Sequence, residues 1–82
     1  MSHNENALAI AVELDARGLQ CPLPLLKAKR AISQMDSGER LRVLATDRGS
    51  VRDFSVWADQ SGHRLLSSTE DAGEYEYVLE KK

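Results

Sequence analysis

The sequence contains one cysteine, Cys21, and its two prolines follow at positions 22 and 24. Proline fits the first turn of a helix, where backbone N–H groups have no intrahelical partner, and it breaks a helix further in. The run over residues 25–32 therefore predicts a helix with Pro22 near N1, Pro24 near N3 and Cys21 at the N-cap. A thiol at an exposed helix terminus is a candidate nucleophile, although lone intracellular cysteines are more often small buried apolar residues.

The predicted position of Cys21 favours the thiolate. An anion at the positive end of the helix macrodipole gains about 0.3–1 kcal/mol when exposed and up to about 2 kcal/mol when partly buried. This lowers a thiol pKa from about 8.5 by roughly one unit. Arg17, across a turn at Gly18, is a candidate for lowering the pKa further. Because N3 is a proline, the N–H of Leu23 is the one backbone donor expected to serve the sulfur.

Length and composition limit the function classes. A chain of 82 residues forms one domain, and a domain of this size buries only about 60–65% of its unfolded surface, so chemistry is expected at the surface. A single cysteine excludes an internal disulfide, a Cys-x-x-Cys redox pair and a cysteine-based zinc site, and we expect neither a metal nor a cofactor. The net charge of −2 argues against a general nucleic-acid or acidic-membrane binder.

The chain shows no targeting or membrane pattern. No apolar run reaches membrane-spanning length, and residues 1–7 lack the layout of a signal peptide, which predicts a cytoplasmic protein without membrane association. Residues 1–7 are polar and without periodicity, and we expect residues 1–8 to form a flexible tail before a domain over residues 9–82.

Alternating apolar residues predict four strands, over residues 9–15, 39–46, 63–69 and 74–80. Residues 70–73 are predicted to form a hairpin loop between the last two. The residues expected to face inward are Ile10, Val12 and Leu14 in the first strand, Leu41, Val43 and Ala45 in the second, Leu65 in the third, and Tyr75, Tyr77 and Leu79 in the fourth. Leu66 is expected on the other face of the third strand.

Helical spacing predicts two helices between these strands. The first, over residues 22–36, carries the inward residues Leu25, Ala28, Ile32 and Met35. The second follows two possible N-caps, Asp47 and Ser50, and ends at Gly62. It carries Val51, Phe54 and Ala58 inward with Trp57 at the edge of the stripe. The order βαβαββ predicts an α+β fold, a two-layer sandwich in which two helices cover one face of a four-stranded mixed sheet.

A set of residues on the first helix points away from its core stripe. At about 100° per residue, Leu26 shares a face with Lys29 and Arg30, one turn from the cysteine. An exposed leucine beside cations suggests a docking surface, although a solvated helix face accounts for the same pattern. We call this set the basic face: Leu26, Lys27, Lys29 and Arg30.

The run from Leu14 to Lys29 resembles the TusA/SirA-like sulfur-carrier family. The resemblance lies in a Cys-Pro-x-Pro core, Leu-Asp-x-Arg-Gly-Leu-x before it and a basic helix after it, so that Arg17, Gly18, Pro22 and Pro24 belong to the motif around Cys21. The later pattern of Asp53-Phe54, Trp57, Gly62-His63 and Leu65 is also similar. The chain departs from many relatives at Arg48, where they have proline. The resemblance implies a sandwich like the C-terminal domain of a bacterial translation initiation factor, with the last strand antiparallel to the others.

The resemblance also implies a function. Cys21 would accept sulfane sulfur from a cysteine desulfurase or rhodanese-like donor, carry it as a persulfide and pass it to a downstream acceptor protein. The residues fit such a relay independently, because a thiolate is the nucleophile in sulfur exchange and a small surface site is open to two partners. Family end points include tRNA 2-thiolation, molybdenum-cofactor biosynthesis and sulfur metabolism. We therefore expect a monomeric carrier rather than an enzyme with its own full active site.

Two other functions are considered. A non-catalytic regulatory module would bind a partner through the same surface, and Cys21 would only sense oxidation. Direct RNA binding is disfavoured by the acidic net charge and by the lack of exposed aromatic residues on a basic sheet face.

Overall fold

Two helices and four strands alternate along the part of the chain that the computed structural model describes, residues 9–82. The predicted tail over residues 1–8 lies outside it. The elements are β1 (Val12–Ala16), α1 (Leu23–Ser33), β2 (Arg40–Ala45), α2 (Ser50–Ser61), β3 (Arg64–Asp71) and β4 (Glu74–Glu80). Neither helix among these residues is long and apolar enough to cross a membrane.

The sheet has the strand order β1-β2-β4-β3. β1 and β2 are parallel, with Leu14 opposite Val43, and β4 runs antiparallel to both of its neighbours, with Tyr77 between Val43 and Ser68. The predicted α+β fold with a mixed four-stranded sheet is confirmed, as is the prediction that the last strand opposes the others. The parallel β1–α1–β2 unit places the loop after β1 beside the loop after β2.

The core lies between the helices and one face of the sheet. Phe54 of α2 stacks on Tyr77 of β4, with ring centroids 4.5 Å apart, and Trp57 meets the edge of Phe54 at 6.0 Å. The Tyr77 hydroxyl lies 2.6 Å from Ser50 Oγ, and Ser50 Oγ also donates to the Asp47 carbonyl. These contacts satisfy the buried hydroxyls and fix the start of α2 over the middle of the sheet.

The start of α1 differs from the prediction by one residue. Pro22 is the N-cap rather than N1, so that Pro24 lies at N2 and Cys21 precedes the cap. The reason is a turn in which the Leu23 N–H donates to the Gln20 carbonyl at 2.8 Å, so this N–H does not serve the sulfur as expected. The helix also ends at Ser33 instead of residue 36, although Met35 is still buried.

The buried face of α2 is rotated relative to the predicted one. Its buried residues are Ser50, Phe54, Trp57 and Ala58. Since Ser50 takes the inward position to reach Tyr77, Val51 points about 100° away and is 45% exposed, contrary to prediction. Trp57, expected at the edge, is only 8% exposed. The N-cap is Gly49, and neither Asp47 nor Ser50 caps the helix.

Smaller differences concern the ends of the strands. β3 and β4 are joined by a two-residue turn, Ala72–Gly73, rather than a four-residue loop. Both turn residues have positive φ, which matches the twist of the strands they connect. Ile10 lies before β1 and lines a surface cavity with Arg42 and Val78 on the sheet face opposite the helices, so it does not face the core as predicted.

Candidate functional site

Cys21 lies in the loop between β1 and α1 and is exposed to solvent. The peptide bond to Pro22, the N-cap of α1, is cis. Gly49, the N-cap of α2, also lies close to the sulfur. A Cβ built at this glycine would be 3.7 Å from Cys21 Sγ. The sulfur is therefore beside the first residues of both helices.

The parallel pairing of β1 and β2 brings the two loops together. The last residues of these strands, Ala16 and Ala45, are opposite each other, so both loops leave the same edge of the sheet. Gly18 N–H donates to Thr46 Oγ1 at 2.9 Å, which ties one loop to the other. Gly18 has a φ of 83°, a conformation that favours glycine. The motif glycine thus has a local role in holding the site together.

Asp53 is in direct contact with the sulfur. It lies in the first turn of α2 and is half-buried, and the thiol of Cys21 donates a hydrogen bond to its Oδ2. This hydrogen bond raises the pKa of the Cys21 thiol, and reduced solvation and the charges of Asp53 and Asp47 add to the effect. The expectation of a lowered pKa is therefore wrong for this structure, in which the sulfur carries its proton near neutral pH.

Arg17 does not contact the sulfur. Its Nε lies 2.9 Å from Asp15 Oδ1 and its Nη2 3.0 Å from Asp15 Oδ2, and Glu74 is 3.8 Å from Nη1. This pairing lowers the pKa of Asp15 to about 2. The expected effect of Arg17 on the thiol is absent, because its guanidinium neutralises carboxylates on the sheet instead.

The other motif residues are placed around the cysteine in different environments. Pro24, in the first turn of α1, is fully buried, whereas Pro22 is exposed. No group of three or more His, Cys, Asp or Glu residues that could hold a metal ion occurs within residues 9–82.

The basic face is exposed, as predicted, and borders a groove between the helices. Leu26 is 51% exposed, and the cations of this face are also at the surface. Of its members only Lys29 lines the groove, which has a volume of about 340 Å³ and reaches Asp53 and Arg52. Val56 of α2 also lines this groove and is exposed, and Leu23 of α1 and Val51 of α2 are further exposed apolar residues of the two helices. The candidate docking surface therefore spans both helices.

The family model described as "Sulfurtransferase TusA" matches residues 12–81. The chain belongs to the TusA family. The sulfur carrier protein TusA of Allochromatium vinosum is 49% identical over 69 residues, which cover 84% of this chain and 91% of that protein. The sulfur carrier protein TusA of Pseudomonas putida is 39% identical over 69 residues, which cover 84% of this chain and 86% of that protein.

A solved structure supports the same family assignment. The crystal structure of the SirA-like protein from Desulfitobacterium hafniense superposes with a TM-score of 0.75 at 25% identity and covers 84% of this chain and 95% of that one. The resemblance in the run around Cys21 is thereby confirmed at the level of the family and of the fold.

Two features of this TusA-family site were missed in the sequence. The sequence pattern contains Asp53 but indicates no role for it, and helical spacing predicts Val51 in the core, whereas the structure exposes it. The parallel β1–α1–β2 unit was a usable signal for Asp53, since it predicts that the start of the second helix lies beside the cysteine loop. No local pattern indicated which side of α2 would carry the carboxylate.

Proposed function

We propose that this protein is a sulfur carrier that holds sulfane sulfur as a persulfide on Cys21. The observation that carries the proposal is the position of the sulfur, exposed at the edge of the sheet where two loops meet. There two different proteins can reach the same atom in turn. Membership of a family whose curated relatives are named sulfur carrier proteins supports it.

The transfer requires no external oxidant. Cys21 loses its proton, and the thiolate attacks the terminal sulfur of a donor persulfide, R–S–SH. A new S–S bond forms on Cys21 while the S–S bond of the donor breaks. The electron pair stays on the donor sulfur, which takes up the proton. The products are Cys21–S–SH and R–SH, and unloading repeats the step with the thiolate of the acceptor as the nucleophile.

The proposed partners follow from this chemistry. The donor is a cysteine desulfurase or a rhodanese-like protein, and the acceptor is a protein of tRNA 2-thiolation, molybdenum-cofactor biosynthesis or sulfur metabolism. The chain acts as a cytoplasmic monomer and supplies the carrier cysteine, while donor and acceptor supply the remaining catalytic groups. Its exposed basic face and the apolar residues of α2 give a donor a surface to bind next to Cys21.

The redox-sensing alternative has less physical support. Sensor cysteines are oxidised readily because they have low pKa values and are largely ionised. The pKa of Cys21 is raised instead, chiefly by the hydrogen bond to Asp53. A carrier tolerates such a thiol better, since its partner can change the surroundings of the sulfur on binding.

The experiment that tests the function is a loading assay. Incubation with a cysteine desulfurase and cysteine should add the mass of one sulfur atom to the protein, and a thiol reductant should remove it. The matched control is Cys21→Ser, which should stay folded and unmodified, because the chain has no other cysteine. If no persulfide forms with several desulfurases and rhodanese-type donors, the carrier proposal is wrong.

A further inference from the structure

We infer that Asp53 is a positioning residue for Cys21. By accepting the hydrogen bond of the thiol, it fixes Sγ beside the first residues of α1 and α2 and keeps the sulfur of the unloaded protein protonated and slow to react. The inference concerns the state of the empty carrier, whereas the proposed function concerns the sulfur it takes up.

The hydrogen bond itself fixes the place of the proton. An ionised carboxylate has acceptors only, so a bond between Cys21 Sγ and Asp53 Oδ2 needs the proton on sulfur. Removing that proton would put two anions in contact. The backbone of Asp53 is held in place, because its N–H donates to the Gly49 carbonyl at 3.1 Å and the next residue, Phe54, is fully buried.

The charged groups around the sulfur act in the same direction. Asp47, in the loop before α2, adds a second negative charge, and both carboxylates raise the pKa of the thiol. Arg17, in the loop before α1, is bound to Asp15. Lys29 of α1 and Arg52 of α2 line the groove with Asp53, but neither forms an ion pair with it in the described part of the chain. The positive ends of both helices favour the thiolate. Asp53 is therefore the group whose removal should release the sulfur.

The test measures alkylation of Cys21 by iodoacetamide as a function of pH. In Asp53→Asn, which keeps the shape of the side chain, the midpoint should move to lower pH. The rate at pH 7 should rise about tenfold for each unit of that shift, because the thiolate is the reacting species. Asp53→Glu retains a carboxylate and should keep the high midpoint. The matched control is Asp59→Asn, an exposed carboxylate on the same helix, which should leave the profile unchanged.

Two outcomes would overturn the inference. One is an Asp53→Asn midpoint equal to or above that of the unsubstituted protein. The other needs no variant: the ¹³C shift of Cys21 Cβ should titrate with a midpoint above the free-thiol value of about 8.5, and a midpoint at or below that value contradicts the inference. The second measurement also applies if the variant does not fold, which circular dichroism will show.

A separate measurement distinguishes this inference from the carrier function. Loading with glutathione persulfide should be faster at pH 7 for Asp53→Asn than for the unsubstituted protein, in proportion to alkylation. If alkylation changes as expected but neither protein gains sulfur from any donor, the carrier proposal fails and the role of Asp53 stands. If both proteins load but their alkylation profiles are the same, the role of Asp53 fails and the carrier proposal stands.

Discussion

Two opposing electrostatic effects act on the sulfur of Cys21. The first residues of α1 and α2 favour an anion there, each with roughly half an elementary charge spread over backbone N–H groups. Asp53 carries a full negative charge in contact with the sulfur, and Asp47 adds another at longer range. The hydrogen bond to Asp53, together with reduced solvation and the two carboxylate charges, outweighs the helix ends, so the pKa of the thiol is raised. A partner that neutralised Asp53 would leave the helix ends to stabilise the thiolate.

Arg17→Ala should change the titration of Asp15 and leave that of Cys21 unchanged. The carboxylate loses its guanidinium partner, so the pKa of Asp15 should rise from about 2 toward 3.8. Carbon-detected NMR of the Asp15 carboxyl measures this shift, and iodoacetamide alkylation reports on the thiol. Arg64→Ala, at an arginine paired with Glu80, is the control and should alter neither titration.

The pH dependence of stability gives the same prediction a second readout. The pKa of Asp15 is depressed in the folded protein, so its pairing with Arg17 stabilises the fold fully at pH values above about 3.8. This contribution to stability is lost as the pH falls through about 2. Arg17→Ala should flatten that part of the acid unfolding curve. A clear rise in the thiol midpoint of this variant would instead show that Arg17 acts on the sulfur.

The identity of the candidate nucleophile could be predicted from the sequence, whereas its protonation state could not. Cys21 and the two prolines are neighbours in the chain, so a helix that starts within one residue of the predicted position could be read locally. Asp53 is 32 residues away and meets the sulfur only because two parallel strands bring their loops together. The sign of the pKa shift depends on this distant contact, and local reasoning about the helix dipole gave the wrong sign.

At the scale of the elements, the start of α2 is held by one buried pair of hydroxyls. Ser50 and Tyr77 join the first turn of the helix to the central region of the sheet, and Phe54 stacks on the same tyrosine ring. Asp53 therefore belongs to a helix that is anchored to the sheet, which places its carboxylate within reach of the sulfur.

Ser50→Ala should destabilise the protein by about 1–3 kcal/mol, because the buried Tyr77 hydroxyl loses its partner. Tyr77→Phe should cost less, since Ser50 Oγ still donates to the Asp47 carbonyl. The double variant should be more stable than the sum of the two losses predicts, as expected for residues in contact. Urea unfolding of the four proteins measures the coupling, and additive losses would show that the pair contributes nothing beyond its separate contacts.

The elements themselves were predictable to different degrees. Period-two alternation predicts all four strands, because β1, β2 and β4 turn alternate residues toward the helices. β3 has no buried residue, and Leu65 alone packs against the core from this strand. The sequence also predicts both helices, but it misplaces the start of α1 and the buried face of α2. The turn from Gln20 to Leu23 shifted the start of α1, and the inward position of a serine, Ser50, turned Val51 outward. Both errors arise where polar contacts override an apolar pattern.

At the scale of the whole molecule, the two faces of the sheet differ in their charges. On the face opposite the helices, cations are paired with carboxylates. Arg42 Nη1 lies 3.3 Å from Glu13 Oε2, and Arg42 Nε lies 2.6 Å from Glu76 Oε2. Arg40 Nη2 lies 3.2 Å from Glu80 Oε2. Exposed apolar residues and cations occur together on the helical side, near Cys21. A protein donor is therefore expected to bind on the helical side.

Charge reversal at Lys29 and Arg30 should slow sulfur loading from a protein donor by about tenfold at low salt and weaken its salt dependence. The loading rate with glutathione persulfide should change much less, since that donor needs no docking surface. Arg64→Glu, on the opposite side of the sheet, is the matched charge reversal and should load normally. Equal loading of all variants at low salt would make the basic face an ordinary solvated surface.

The strand order has a consequence for how the protein is made. β4 lies between β2 and β3 in the sheet, yet it leaves the ribosome after the two helices and three strands with which it packs. Until it is synthesised, β2 lacks its antiparallel neighbour, Phe54 lacks the ring it stacks on, and Ser50 lacks the hydroxyl that positions α2. The nascent chain therefore displays its cysteine before Asp53 is in place, so the thiol is exposed to electrophiles during translation in a state that the finished protein avoids.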